Sequence, residues 1–211
     1  MSVHKAKGTI PEGAVRLTEQ EAINRQWQLI MNWTPEKDVW PFRYGIGLLS
    51  VTSAFCGIYI NNHYRTKLHL HEFGRFSSYL PIVALPTVLS ALIHQQEVSN
   101  DIIIERTACP VCVQMRSASL QVLISTVLPA ILAPLSGFMF ATRHYTYNLP
   151  PITKPLEHLK LWQKLTRPIG NILFLMCACQ AFFALGLAHC EEKSMQKIRI
   201  KLLRIEKETL P

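Results

Sequence analysis

Apolar positions gather in four windows, 44–61, 76–93, 117–141 and 169–188, none of which contains Asp, Glu, Lys or Arg. A hydrocarbon core about 30 Å thick takes roughly 20 residues at about 1.5 Å each, with about 17 as the lower limit. Lipid offers no partner to a free backbone N–H or C=O, so such windows are expected to be helices. A buried helix of a soluble bundle still carries a polar outer stripe, and residues 173–188 have only Gln180 for that purpose. The pattern predicts an all-α fold, a four-helix integral membrane bundle with an N-terminal amphipathic helix and a basic C-terminal helical tail.

The flanks supply those two extra helices. Thr18 and Glu21 have capping-box spacing, Ile23, Trp27 and Ile30 follow at helical intervals, and Pro35 is expected to end the segment. This helix can lie at the interface, on a partner, or over its own bundle. Trp40, Phe42 and Tyr44 are expected to anchor the first membrane boundary. At the other end Met195, Ile198, Leu202 and Ile205 share one face, with Lys193, Lys197, Lys201, Arg204 and Lys207 around the rest. Such a helix can bind anionic lipid such as cardiolipin, dock on a partner, or extend the fourth span. The organisation read from sequence is a tail over 1–43, a four-pass domain over 44–188 and a basic amphipathic helix over 189–211.

Within the windows, Pro81 and Pro86 fall in the second and Pro129 and Pro134 in the third. Neighbouring helices can re-satisfy the carbonyls that proline frees, so bent second and third helices are expected. Small residues recur as seams: Ser53, Gly57 and Asn61 in the first window, and Cys177, Ala181, Ala184 and Ala188 in the fourth. Seams of this kind allow close helix approach, within the chain or to another protein. Asn61 and Gln180 are expected to make interhelical hydrogen bonds, since no intramembrane charge is present to carry a coupled ion.

Composition and charge refine this picture only slightly. A mean hydropathy of +0.15 would suit a soluble protein, but all 36 acidic and basic residues among the 211 lie outside the windows. Of the 22 Lys and Arg, 14 lie in the tails and middle loop and 8 in the two other loops, which favours the tails on the cytosolic or matrix side. Met1 to Ile10 lacks the apolar stretch of a secretory signal, and early Glu12, Glu19 and Glu21 make a poor cleavable mitochondrial presequence. Insertion is therefore expected to use internal signals. The net charge of +8 is spread over loops and tails, and no nucleic-acid partner is expected.

The middle loop holds the only motif with reactive side chains, Cys109-Pro110-Val111-Cys112. A C-x-x-C can be a redox or disulfide pair, half of a zinc site, or two ordinary thiols. A structural zinc needs four ligands and only His94 is near in sequence, which disfavours metal. Cys56, Cys177, Cys179 and Cys190 lie in or beside windows and are expected to pack. No Ser-His-Asp order, HExxH, phosphate-cradling glycine loop or dinucleotide fingerprint occurs. A non-enzyme without a cofactor is expected. The alternatives are a small carrier or channel built on the proline-bent helices, or a thiol-redox membrane protein using Cys109 and Cys112.

Several letters in order resemble one family. Ala54-Phe55-Cys56-Gly57-Ile58, then Asn61 and Tyr64-Arg65, is similar to the A-x-x-G-[IL] … N … [FY]-R stretch of the transmembrane protein 126 family. Leu85-Pro86, Cys109-x-x-Cys112-x-x-x-Arg116-Ser117, Pro129, and Ala141-Thr142-Arg143 through Leu149-Pro150-Pro151 continue the resemblance over about 54–151. The resemblance implies a four-pass protein of the mitochondrial inner membrane that assists assembly of the membrane arm of respiratory complex I. Its implied partners are complex I membrane-arm subunits and other assembly factors.

Overall fold

The computed structural model describes residues 17–150 and 155–209. The tail ahead of Leu17, Pro151 of the third loop motif, Lys154 and the last two residues lie outside the described residues. Among the described residues every regular element is helical, without strands. Four helical runs are long and apolar enough to cross a membrane: Pro41–Lys67, Arg75–Ile104, Pro110–His144 and Pro155–Ile205. Only 22% to 39% of each run's most apolar window is buried within the chain, so most of that surface faces outward. A soluble bundle could not leave that much apolar area in water.

The first run opens with a π-helical turn, Pro41–Gly45, and continues as α2, Ile46–Lys67. It follows α1, Glu19–Met31, whose capping box is formed: the Glu21 N–H reaches Thr18 Oγ1, and the Thr18 N–H reaches Glu21 Oε2 at 2.9 Å. The second run comprises α3 (Arg75–Tyr79), a π turn (Leu80–Ala84), α4 (Leu85–His94), a second π turn and α5 (Asn100–Ile104). The third run joins α6 (Pro110–Val122) through a π turn (Leu123–Val127) to α7 (Leu128–His144). The fourth comprises α8 (Pro155–Thr166), a short 3-10 turn and α9 (Gly170–Thr209).

The prolines account for the interruptions. A proline cannot donate to the carbonyl four residues back, and its ring crowds that carbonyl. Pro86 and Pro129 each follow a π turn, where the Leu85 N–H instead reaches the Leu80 carbonyl and the Leu128 N–H the Leu123 carbonyl. Pro81 lies within the first of those turns, and Pro134 is inside α7. Such turns and prolines are recognised causes of helix kinks.

Two apolar cores close the ends of the bundle. On the side of the tails, Ile30 of α1, Val39, Phe42, Ile103 of α5, Val113 of α6, and Met195 and Ile198 of α9 pack together. At the opposite end Ile60, Tyr64, Leu68 and Leu70 pack with Ile82, Ala141 and Leu165. Two expectations change here, and one left open is decided. Phe42 is 2% exposed and stands edge-on to Trp27, with centroids 5.9 Å apart, so it belongs to the core; Trp40 and Tyr44 remain exposed. Of the three readings of the C-terminal helix, extension of the fourth span is the one the structure takes, and its apolar face as far as Leu202 joins the core that also holds residues of α1 and α5. The third expected loop contains α8, which rests Leu161, Trp162 and Leu165 on the far core.

Candidate functional site

Between and beside the apolar cores the interior holds clusters of polar groups that pair with one another. At mid-depth Gln121 of α6 donates from Nε2 to Gln180 Oε1 of α9 at 2.9 Å, and Ser90 of α4 donates to Gln121 Oε1 at 2.8 Å. Thr52 Oγ1 of α2 also reaches Gln180 Oε1, at 3.3 Å, and Gln180 Nε2 donates to Cys56 Sγ at 3.1 Å. One connected cluster thus ties together all four spanning runs. In a medium without water, unpaired amides would cost several kcal/mol each, so the cluster fixes how the helices face each other.

Towards the tails a second buried group spans α4, α6 and α9. His94 Nε2 lies 3.3 Å from Glu191 Oε1, and Ser99 Oγ donates to both Glu191 oxygens at 3.2 and 3.1 Å. Ser117 Oγ lies 3.4 Å from His94 Nδ1 and 3.2 Å from the Ala184 carbonyl oxygen. The order Ser–His–Glu resembles a hydrolytic relay, but Ser117 is 1% exposed, His94 4% and Glu191 0%. A nucleophile that no substrate can reach performs no acyl transfer. These residues lock three helices together.

The opposite end is organised by Arg65, in the last turn of α2. It donates from NH1 to Ser78 Oγ at 3.0 Å, and from NH2 to the His71 and Phe73 carbonyls at 2.5 and 3.1 Å. Asn61 donates to the same Ser78 hydroxyl at 3.4 Å. Arg65 thereby satisfies the carbonyls of the turn joining the first two spans, where His69 and His71 hold left-handed backbone. His63 lies 3.0 Å from the Leu165 carbonyl, and Tyr64 bonds Thr166 at 2.7 Å, docking α8 onto α2.

The middle loop is short and braced. Asp101, 2% exposed, accepts from the Thr107 N–H at 3.0 Å and the Thr107 hydroxyl at 2.7 Å, and pairs with Arg116. This sets the turn that presents Cys109 as the N-cap of α6, with Pro110 at the first helical position. The Cys112 N–H donates to Cys109 Sγ at 3.3 Å. Both thiols are free and exposed. Hydrogen bonds from the Cys112 thiol, and then from the Cys112 N–H, hold the Cys109 thiol below its ordinary range. Among the described residues no group of three or more His, Cys, Asp or Glu side chains is arranged to hold a metal.

The seam residues turn inward. Ser53 and Asn61 are buried, and a Cβ on Gly57 would meet the Ile82 carbonyl oxygen at 2.7 Å, the carbonyl that Pro86 leaves without its usual donor. Ala184 and Ala188 are fully buried, where α6 lies against α9, while Cys177 and Ala181 are half-buried. Gln121 and Asp101 escaped the sequence reading, as did the pairing of His94 with Glu191. His94 and Glu191 stand just past the edges of charge-free windows, yet Glu191 extends the spacing of Ala184 and Ala188 by one more turn.

This geometry defines a four-span helical membrane protein knit together by buried polar clusters. The sequence model of the transmembrane protein 126 family matches residues 21–204. Transmembrane protein 126 of Drosophila melanogaster is 44% identical over 209 residues, covering 98% of this chain and 94% of that protein. The chain belongs to the transmembrane protein 126 family. The match reaches both tails, well beyond the stretch 54–151 that carried the resemblance. No solved structure matches it.

Proposed function

We propose that this chain is a non-enzymatic assembly factor of the mitochondrial inner membrane, a scaffold for the membrane arm of respiratory complex I (NADH:ubiquinone oxidoreductase). Membership of the transmembrane protein 126 family supports the reading, through the role that the resemblance implies. One observation carries it physically: Thr52, Ser90, Gln121 and Gln180 of the spans are engaged with one another in the interior, while large apolar side chains point outward. Phe55, Phe174, Phe182 and Met139 are 68%, 77%, 76% and 74% exposed. Such a molecule meets its surroundings through helix flanks, as a factor shielding the lipid-facing surface of an incomplete subunit requires. Its proposed partners are membrane-arm subunits and other assembly factors, with the tails on the matrix side and the basic end of α9 near cardiolipin headgroups.

The test is removal of the protein followed by native electrophoresis. Co-migration with partly built complex I, and loss of the mature complex on removal, are expected. Exclusive residence in endoplasmic reticulum membranes, with normal complex I after removal, would reject the proposal.

A further inference from the structure

We infer that Cys109 and Cys112 form a thiol–disulfide exchange centre on the tail side of the membrane, with Cys109 attacking, Cys112 resolving and a disulfide as substrate. An exchange centre needs an accessible thiol, stabilisation of its thiolate, and a second thiol within reach of the first sulfur. All three are present. Both side chains are exposed and unbridged. Cys109 occupies the N-cap of the 13-residue α6, where the Cys112 N–H points at its sulfur, and Pro110 fixes the first helical turn. N-cap and third helical position are neighbours in space, as α1 shows with Thr18 and Glu21.

Capping alone explains the pair poorly. Sulfur is a weak acceptor compared with the oxygen of Ser, Thr or Asp, and a thiol at Cys112 is a poor replacement for the Glu or Gln that completes a capping box. The support beneath the turn is also more than a loop requires. Buried Asp101 holds Thr107 and Arg116 on either side of the motif, so the thiols stand on a fixed base. Cys56, by contrast, is buried among the spans and bonded to Gln180.

The exchange balances as follows. The Cys109 thiolate attacks one sulfur of R–S–S–R′; the Cys109–S–R bond forms, the S–S bond of the substrate breaks, and R′–S⁻ takes a proton. Cys112 gives its proton to water and attacks Cys109 Sγ. The Cys109–Cys112 bond forms, R–S⁻ leaves and is protonated, and two electrons have passed from the pair to the substrate. A dithiol donor reverses both steps. The disulfide can belong to glutathione or to a cysteine-bearing protein, and the chemistry at Cys109 is the same.

The experiment uses the full chain in lipid nanodiscs, with alkylation of each thiol followed by mass spectrometry. Cys109 is expected to alkylate several-fold faster than Cys112, and glutathione disulfide is expected to convert the pair to an intrachain disulfide. Cys112→Ser is expected to stop at a mixed disulfide on Cys109, and Cys109→Ser to form neither product. Cys112→Ser purified from cells under acid quench separates the sources: a glutathione adduct on Cys109 identifies the small thiol, a peptide cross-linked to Cys109 a protein. Equal alkylation of both thiols without an intrachain disulfide overturns the inference, as does Cys112→Ser with no adduct, or zinc bound by both thiols in the purified chain. Both serines retain a cap, and an unchanged unfolding midpoint verifies the fold. The readout is chemical, so it stands or falls independently of any effect on complex I.

Discussion

Replacing Gly57 by Ala isolates a close backbone approach between the first two spans. The new Cβ would lie 2.7 Å from the Ile82 carbonyl oxygen and 3.3 Å from Val83 Cα, both backbone atoms that cannot rotate away. A carbon–oxygen contact relaxes at about 3.3 Å, so the helices must part by about 0.6 Å. Overpacking of this kind costs about 1–3 kcal/mol. Alanine's better helix propensity returns about 1 kcal/mol, leaving a net loss of about 0–2 kcal/mol. Gly186→Ala is the control, because a Cβ there meets nothing within 4 Å and should gain the propensity term alone. The two variants should therefore differ by about 2 kcal/mol, roughly thirtyfold in the unfolding equilibrium. Unfolding in mixed micelles, followed by tryptophan fluorescence, measures it. Equal stability of the two variants would refute the claim that backbone contact at Gly57 limits helix separation.

Further outcomes follow from the polar groups. Gln180→Leu removes three interhelical bonds, each worth about 0.6 kcal/mol in a membrane, and strands the Gln121 amide. It should cost about 2 kcal/mol, while Gln121→Leu with Gln180→Leu costs less than the sum of the single changes; strict additivity in the same unfolding assay would remove the cluster's significance. Arg65→Ala leaves the His71 and Phe73 carbonyls unpaired, at about 1–3 kcal/mol. Faster amide exchange should be confined to 68–74 and neighbouring turns, and unaltered exchange there would contradict the role given to Arg65. The hydrogen bond from Lys201 is the main cause holding the Asp38 carboxyl below its ordinary value. A pKa depressed by folding stabilises above the ordinary value of about 4 and ceases to do so as acid protonates the group. Protection factors in 195–205, with the intrinsic pH dependence of exchange divided out, should thus stay constant from pH 7 to 5 and fall below about pH 4, and Asp38→Asn should flatten that fall. An identical acid response in the variant would assign the step to another group.

The spans were legible because hydrocarbon imposes a simple rule: a long window without charge, such as 117–141, has few other uses. The capping box of α1 was legible for a similar reason, since Thr18 and Glu21 act within one turn. What escaped depends on partners distant in sequence. Phe42 resembles a boundary aromatic until Trp27 covers it, and Glu191 resembles the start of a solvated tail until His94 and Ser99 enclose it. The amphipathic pattern of α8 was present in Leu161, Trp162 and Leu165, but the segment lies between two windows and enters the sequence reading only as a loop carrying basic residues. Gly57 was legible as small; only the structure shows that Ile82 and the missing donor of Pro86 are what it accommodates. The thiol pair was visible as a motif, whereas its placement on α6 depends on Asp101 and Thr107.

The 40 residues of α9 contain no proline and no π turn, and form a rod about 60 Å long, roughly twice the depth of the hydrocarbon. One half is bathed in lipid; the other shares a core with Ile30 of α1 and is tied by Ser194 and Lys201 to Asp38, between α1 and the first span. With no joint between the halves, a tilt imposed on the embedded part swings the outer part in the opposite sense, as a lever does about its fulcrum. A neighbour wedged against Phe174 in the bilayer would therefore displace the first helix at the aqueous end, with no loop needed to carry the message.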